Sequence, residues 1–153
     1  GITVTGNSFC SAGKRSIVID TCRNIAVGSC TIDYNPDYKG SRFDGVLVKD
    51  SAGINLNGLI VEASLVGNEK SGGAISVFNS HDITIANCQI FDPAHRGLHL
   101  DRVDHIVISG NLVRDHNAMP KMQESLLTTN CGKNLTMTGN ALDAGKNGAV
   151  RKR

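Results

Sequence analysis

The sequence predicts an all-β solenoid of about six coils, with three short strands in each coil. One eight-residue phrase recurs six times, and equivalent positions are separated by 23 or 29 residues. No helical hydrophobic pattern separates the copies, and a period in this range is typical of stacked-coil repeat proteins. The copies read ITVTGNSF (2–9), IAVGSCTI (25–32), INLNGLIV (54–61), ITIANCQI (83–90), IVISGNLV (106–113) and LTMTGNAL (135–142).

The stretch 72–95 shows how one coil is built. Apolar residues alternate with small or polar ones at 75–78, 83–86 and 88–91, which predicts three strands with one buried face each. In five copies an interval of six residues leads from the last inward position of the first strand to the first inward position of the second, as from Val77 to Ile83. We therefore expect one reused turn, with variable length confined to the loop after the third strand, where binding groups are often placed.

Equivalent positions in the copies predict columns of side chains that run down the stack. A turn column mixes amides with small apolar groups, and stacked Asn side chains can hydrogen-bond along parallel strands while Cys fits the same slot. The predicted inward columns are Ile17/Val46/Ile75/Leu98/Leu127 and Val27/Leu56/Ile85/Ile108/Met137, and the turn column is Asn7/Cys30/Leu59/Cys88/Asn111/Asn140.

The five cysteines are predicted to be reduced. Cys30 and Cys88 share a column two coils apart, about 9–10 Å, which exceeds the roughly 4.4–6.8 Å Cα range of a disulfide. Cys22 and Cys131 lie four coils apart, and Cys10 lies on a different side from Cys22. No Cys/His spacing indicates zinc. Unpaired cysteines leave the cellular compartment open.

The six I-x-[IVLM]-x-G-N-like phrases, with the strand–turn–strand unit before five of them, resemble the right-handed parallel β-helix superfamily of pectate lyases, polygalacturonases, alginate epimerases and phage tailspikes. The resemblance implies a single-stranded, right-handed coil. It also implies a polysaccharide partner on the outward face of the first strand and a secreted or cell-surface location. We expect one domain over 1–153. Because the chain enters directly at a second strand, we expect this domain to be part of a longer solenoid or to lack its N-terminal cap.

Charge and hydropathy argue against nucleic-acid and membrane partners. The net charge is +2, and the only basic cluster is the terminal RKR (151–153), which we predict to be a solvated tail. No basic stripe carries interleaved aromatics, and no apolar run approaches membrane-spanning length. No cofactor is predicted. Calcium stays open as an alternative, since Asp20, Asp50 and Asp101 lie near one face, although no loop has the ligand density of a calcium site. The uncovered coil ends predict end-to-end or homo-oligomeric contact.

The outward face of the first strand carries the densest set of titratable groups. His99 and Asp101 are two residues apart on one strand, so they point the same way, about 6.5–7 Å apart. The loop DPAHR (92–96) places further groups at the rim, and the next coil is predicted to bring Asn130 beside Asp101. The predicted outward columns are Val18/Leu47/Ser76/His99/Thr128 and Asp20/Lys49/Phe78/Asp101/Asn130. The candidate catalytic residues are His99, Asp101, His95 and Arg96, and the candidate substrate-binding residues are Lys49, Phe78, Asn130, Asp92 and Tyr38.

Three functions remain open: polysaccharide binding without turnover, a lyase or C5-epimerase acting on uronates, and a structural solenoid. Elimination needs a group that neutralises the uronate carboxylate, for which Arg96 or Asn130 is suited, and a base for the C5 proton, for which His99 or His95 is suited. The loop DPAHR is similar to the D-P-H-containing motif of alginate epimerases, with Ala94 inserted between Pro and His. Hydrolysis ranks lower, because its two carboxylates would be Asp101 and Asp92 only if that loop folded inward.

Overall fold

In the computed structural model every regular element among the described residues is a β-strand, which confirms the all-β prediction. The structure describes residues 1–35, 37, 42–68 and 70–153. Within these ranges no helix is long and apolar enough to cross a membrane. The strands are β1 (Ile2–Thr5), β2 (Ser8–Cys10), β3 (Arg15–Asp20), β4 (Arg23–Gly28), β5 (Thr31–Asp33), β6 (Asp44–Lys49), β7 (Ala52–Asn57), β8 (Ile60–Glu62), β9 (Ile75–Ala86), β10 (Gln89–Phe91), β11 (Arg96–Ser109), β12 (Leu112–Arg114), β13 (Glu124–Thr129), β14 (Leu135–Thr138), β15 (Ala141–Leu142) and β16 (Val150–Lys152).

The strands stack as a parallel β-helix, as predicted, because each pairs in parallel with the equivalent strand one coil further on. The first strands of successive coils are β3, β6, the N-terminal parts of β9 and β11, β13 and β16. The second strands are β1, β4, β7, the C-terminal parts of β9 and β11, and β14, and the third strands are β2, β5, β8, β10, β12 and β15. One detail differs from the prediction: β9 and β11 continue through the first turn, so two coils have two strands where three were expected.

Residues with left-handed backbone make the corner between the second and third strands. The six equivalent positions have φ between 51° and 67°. Glycine adopts this conformation without a Cβ clash, and Asn tolerates it better than most residues. This explains the glycine of G-N in the repeated phrase, and Asn87 takes the same position in one coil. The corner residues are Gly6, Ser29, Gly58, Asn87, Gly110 and Gly139.

The core is a set of aliphatic columns shared between coils. The predicted column Val27/Leu56/Ile85/Ile108/Met137 is confirmed by the strand register. Its three central members are fully buried, and burial of each such side chain contributes roughly 1.5–3 kcal/mol. Because a single coil is too thin to cover its own apolar face, this stabilisation depends on the neighbouring coils.

The predicted amide ladder in the turn column is present. Asn111 accepts a hydrogen bond from the Cys88 backbone N–H at Oδ1 (2.9 Å) and donates from Nδ2 to the Ile85 carbonyl (2.9 Å). Asn140 repeats the arrangement one coil later, accepting from the Asn111 N–H at 2.9 Å. Cys30 and Cys88 fill the same column as buried thiols, all five cysteines are free, and burial raises the pKa of Cys88.

The predicted register of the last full coil is wrong by one residue. Leu98 pairs with Leu126, so Leu126 faces inward and Leu127 occupies the outward column of His99. The turn that follows is one residue longer than its equivalents: seven residues separate Thr128 from Leu135, whereas six separate the corresponding positions of the preceding coils. Because side-chain direction alternates with a period of two, a slip of one residue exchanges the two faces.

The basic C-terminal cluster is a strand and not a solvated tail, which corrects the prediction made for it. Val150, Arg151 and Lys152 pair with Leu126, Leu127 and Thr128 and form β16. The Asn130 N–H donates to the Arg153 carbonyl at 3.1 Å. The first-strand face therefore extends by one more rung, and that rung carries arginines.

Candidate functional site

An open cleft of about 600 Å³ lies on the outward face of the first strands. Its lining combines two outward columns of the first strands with the turn that follows them and with two residues of the loop between β8 and β9. The lining residues are Lys49, Asp50, Lys70, Ser71, Phe78, Asn79, His99, Asp101, Arg102, Leu127, Thr129 and Arg153.

The floor of the cleft is aromatic and apolar. Phe78 and His99 lie on adjacent strands and make an edge-to-face contact, with ring centroids 5.1 Å apart. Leu127 occupies the next position in the His99 column. His99 is 8% exposed, so its imidazole is nearly dehydrated although it borders an open cleft.

Three buried polar atoms on this face have no hydrogen-bond partner within the described part of the chain. They are His99 Nδ1, Asp101 Oδ1 and Ser76 Oγ. Ser76 pairs with His99 across adjacent strands, and Asp101 is two residues further along the His99 strand, so the three side chains are neighbours. Buried polar groups without partners cost about 1–3 kcal/mol each. A ligand in the cleft that supplied partners to His99 and Asp101, the two lining residues among them, would recover part of that cost.

The pKa of His99 lies below its ordinary value. Burial is the main cause, and the positive charge of Arg96 adds to it. The negative charges of Asp101 on the same strand, Asp44 on β6 and Glu124 on β13 partly oppose the shift. The imidazole is therefore neutral near neutral pH. A neutral histidine beside a cleft can accept a proton, which is the property that a general base requires.

The stability of the protein is expected to fall as the pH is lowered below about 6.5, the ordinary pKa of histidine. In the unfolded chain His99 takes up a proton near that pH, whereas the folded protein resists protonation until the pH reaches the lowered pKa. The contribution of His99 is therefore fully present above pH 6.5 and is lost as the pH falls towards the folded-state pKa. Urea unfolding of the wild type and of His99→Gln between pH 7.5 and 5 measures it. Equal pH slopes in the two proteins would contradict this assignment.

Positive charges outnumber negative charges in the cleft. Lys49, Lys70, Arg102 and Arg153 line it, against the carboxylates of Asp50 and Asp101. Arg102 forms an ion pair with Asp101 (Nη1–Oδ2 2.7 Å) and also contacts the side chain of Asn79.

Lys49 is paired with Asp20, outside the lining, at 3.0 Å. This hydrogen bond holds the pKa of the Asp20 carboxyl below its usual range. No group of three or more His, Cys, Asp or Glu residues in the described ranges is arranged to hold a metal ion.

Arg96 lies under the loop that borders the cleft and is not at its open rim. Its side chain is 4% exposed and forms an ion pair with the fully buried Glu124 (Nε–Oε1 2.6 Å). Its Nη1 donates to the Asn68 carbonyl at 2.9 Å, and the second carboxylate oxygen of Glu124 accepts from Asn147 at 2.9 Å. Arg96 is already neutralised, so a ligand carboxylate would have to compete with Glu124 for it.

The structure brings together four of the sequence-predicted site residues. His99, Asp101, Lys49 and Phe78 share the cleft. Tyr38 lies outside the described residues. Arg96, Asn130, Asp92 and His95 are not among the cleft-lining residues.

The placement of the DPAHR loop and of Asn130 corrects the prediction. Asp92 turns the chain at the end of β10 and accepts from the backbone and ring nitrogens of His116, and the His95 carbonyl accepts from the Gln123 N–H. Asp101 pairs with Thr129, which leaves Asn130 in the adjoining turn. The loop does not fold inward, so Asp92 cannot act as a second carboxylate beside Asp101.

Sequence reasoning missed the groups that supply most of the positive charge. Arg102 follows Asp101 directly and takes the left-handed turn position (φ 53°), which directs its side chain back to the cleft. The repeat spacing could have predicted Arg153. Residues 150–152 follow the third strand β15 at the place where each coil begins its next first strand, and Arg153 comes directly after them. Lys70 carries no such signal, because its place depends on how a loop folds.

Parallel coils, left-handed corners and a polar cleft on the first-strand face define the chain as a parallel β-helix. The family model described as "right handed beta helix region" matches residues 1–151. The chain belongs to that family, which confirms the predicted handedness.

Among solved structures, the chain is similar to one from Parabacteroides merdae ATCC 43184 titled a "putative glycosyl hydrolase". The TM-score is 0.50 at 13% identity, with 89% of this chain and 78% of that chain covered. At this identity the likeness shows a shared fold. No curated protein matches the chain.

Proposed function

We propose that the protein binds an acidic polysaccharide in the cleft of the first-strand face. The observation that carries the proposal is the composition of the lining: four basic side chains and two carboxylates surround an aromatic floor. Basic groups around an open cleft attract polyanions and raise their association rate. Membership in the β-helix family and the fold shared with a protein titled a glycosyl hydrolase support a carbohydrate ligand.

The polar groups of the floor suit a sugar better than a simple anion. The unpartnered atoms of His99 and Asp101 are hydrogen-bonding groups on two neighbouring cleft-lining residues, which complements the hydroxyl groups of a pyranose ring. Phe78 provides the apolar surface against which a sugar ring can pack. The cations then select a chain that carries carboxylate or sulfate groups.

Affinity electrophoresis tests this function. We expect migration to be retarded in gels containing polygalacturonate or alginate, with little retardation by a neutral glucan, and we expect added salt to weaken the effect. Lys70→Ala should reduce the retardation, whereas Lys14→Ala, an exposed lysine outside the cleft, should leave it unchanged. Equal retardation by acidic and neutral polymers, or none by either, would overturn the proposal.

Elimination on uronates is the second candidate, favoured by the buried and neutral state of His99. In this reaction His99 accepts the C5 proton, and the electron pair forms the C4–C5 double bond. The C4–O bond breaks, and the departing oxygen takes a proton from solvent. Lys70 and Arg153 line the cleft and are suited to neutralise the uronate carboxylate, the role first assigned to Arg96 or Asn130. Lys49 and Arg102 also line it but already have Asp20 and Asp101 as ion-pair partners.

A further inference from the structure

We infer that Arg96 is a positioning residue for the cleft: it holds Asn68, and through Asn68 it places Lys70 against the bound polyanion. The inference rests on the proposed function for the identity of the ligand. The contacts that carry it are internal to the protein. We call the described residues 63–68 and 70–73, between β8 and β9, the strap.

The first link joins strand β13 to Arg96. Glu124, at the start of β13, accepts from Arg96 at one oxygen and from Asn147 at the other. Both carboxylate oxygens of Glu124 therefore accept a hydrogen bond, and the Arg96 guanidinium is held in one orientation. Charge-assisted hydrogen bonds of this kind are about twice as strong as neutral ones.

The second link joins Arg96 to the strap. The guanidinium presents a second donor, Nη1, to the Asn68 carbonyl at 2.9 Å while Nε remains on Glu124. The planar fork of arginine makes two such bonds in different directions, which a lysine ammonium cannot reproduce at the same geometry. The preceding part of the strap has its own anchor, since the Gly67 N–H donates to the Arg42 carbonyl.

The third link passes through the Asn68 side chain. Its Oδ1 accepts from the backbone N–H of Lys70 (2.9 Å) and of Ser71 (3.0 Å), and the Asn68 N–H donates to the Ser71 carbonyl. This closed turn places Lys70 and Ser71 in the cleft lining. Asn68 itself is exposed, so water competes for these bonds unless Arg96 holds the turn in place.

A double-mutant cycle measures the coupling. On the wild type, Lys70→Ala is expected to lower the affinity for polygalacturonate about two- to five-fold, the range of one exposed charge pair. Arg96→Lys is expected to cause a similar loss. In the Arg96→Lys background, Lys70→Ala should then have almost no further effect. If Lys70→Ala costs the same factor in both backgrounds, Arg96 does not position Lys70.

A second variant distinguishes loss of the turn from general destabilisation of the fold. Asn68→Ala removes the acceptor for the Lys70 and Ser71 amides but retains the backbone carbonyl and the Arg96–Glu124 pair. We expect it to reproduce the loss of affinity while the free energy of unfolding stays close to that of the wild type. Full affinity in Asn68→Ala would contradict the role of the turn.

Amide hydrogen exchange separates this inference from the proposed function. In Arg96→Lys the Lys70 and Ser71 amides should exchange faster, with no change at Val77 or Leu100 in the core strands. Unchanged exchange at Lys70 and Ser71 overturns the positioning role whatever the ligand. Faster exchange in a protein that binds no acidic polymer supports the positioning role and overturns the proposed function alone.

Discussion

Replacing Glu124 by Ala is expected to lower the free energy of unfolding by about 3–5 kcal/mol, because it leaves the Arg96 guanidinium buried without its carboxylate. The pair is almost fully excluded from solvent, and Glu124 also accepts from Asn147. Urea unfolding at neutral pH gives the free energy. Asp20→Ala is the matched control, since it breaks the exposed ion pair with Lys49 and should have only a small effect.

The comparison with a double replacement identifies the cause of this loss. Arg96→Leu combined with Glu124→Leu removes both charges and retains apolar volume, so it should be less destabilising than Glu124→Ala alone. A loss in Glu124→Ala no greater than that in Asp20→Ala would mean that the pair is hydrated in solution. A double replacement worse than the single one would mean that the pair stabilises the coil by more than its desolvation costs.

The second large effect concerns catalysis. In a screen of pectate, alginate and glycosaminoglycans, with and without calcium, we expect His99→Ala to reduce the formation of unsaturated uronate by 10²–10⁴-fold, the usual contribution of a general base. The absorbance of the unsaturated product follows the reaction. His105→Ala is the control, because this histidine is exposed and belongs to the turn before the second-strand part of β11.

Each result of the screen has a distinct meaning. Product formation that survives in His99→Ala would show that another group removes the C5 proton. Absence of product from folded wild-type protein on every substrate would end the elimination proposal and leave polysaccharide binding as the remaining proposal for the cleft. Circular dichroism of the variants establishes that the coil is intact in each case.

The inward columns could be predicted from the sequence because the pattern is local and repeated. The phrase that includes Ile83 and Ile85 appears in all six coils, so one assignment of inward and outward positions serves for nearly all of them. The same alternation placed His99, Asp101 and Phe78 on one outward face. The prediction that Leu127 faces inward was wrong for a physical reason. The turn after β13 has one additional residue, so the inward and outward positions of β13 are exchanged relative to the prediction.

The sequence by itself determined the fold, its repeated corners, the aliphatic columns and the strand face that carries His99, because alternation and repeat spacing translate directly into side-chain direction and coil stacking. Only the tertiary structure decided which charges meet at the cleft. Arg96 became a buried partner of Glu124, and Lys70 and Arg153 reached the lining, because loops and terminal strands are positioned by packing against distant parts of the chain. Such contacts join residues that no local pattern relates.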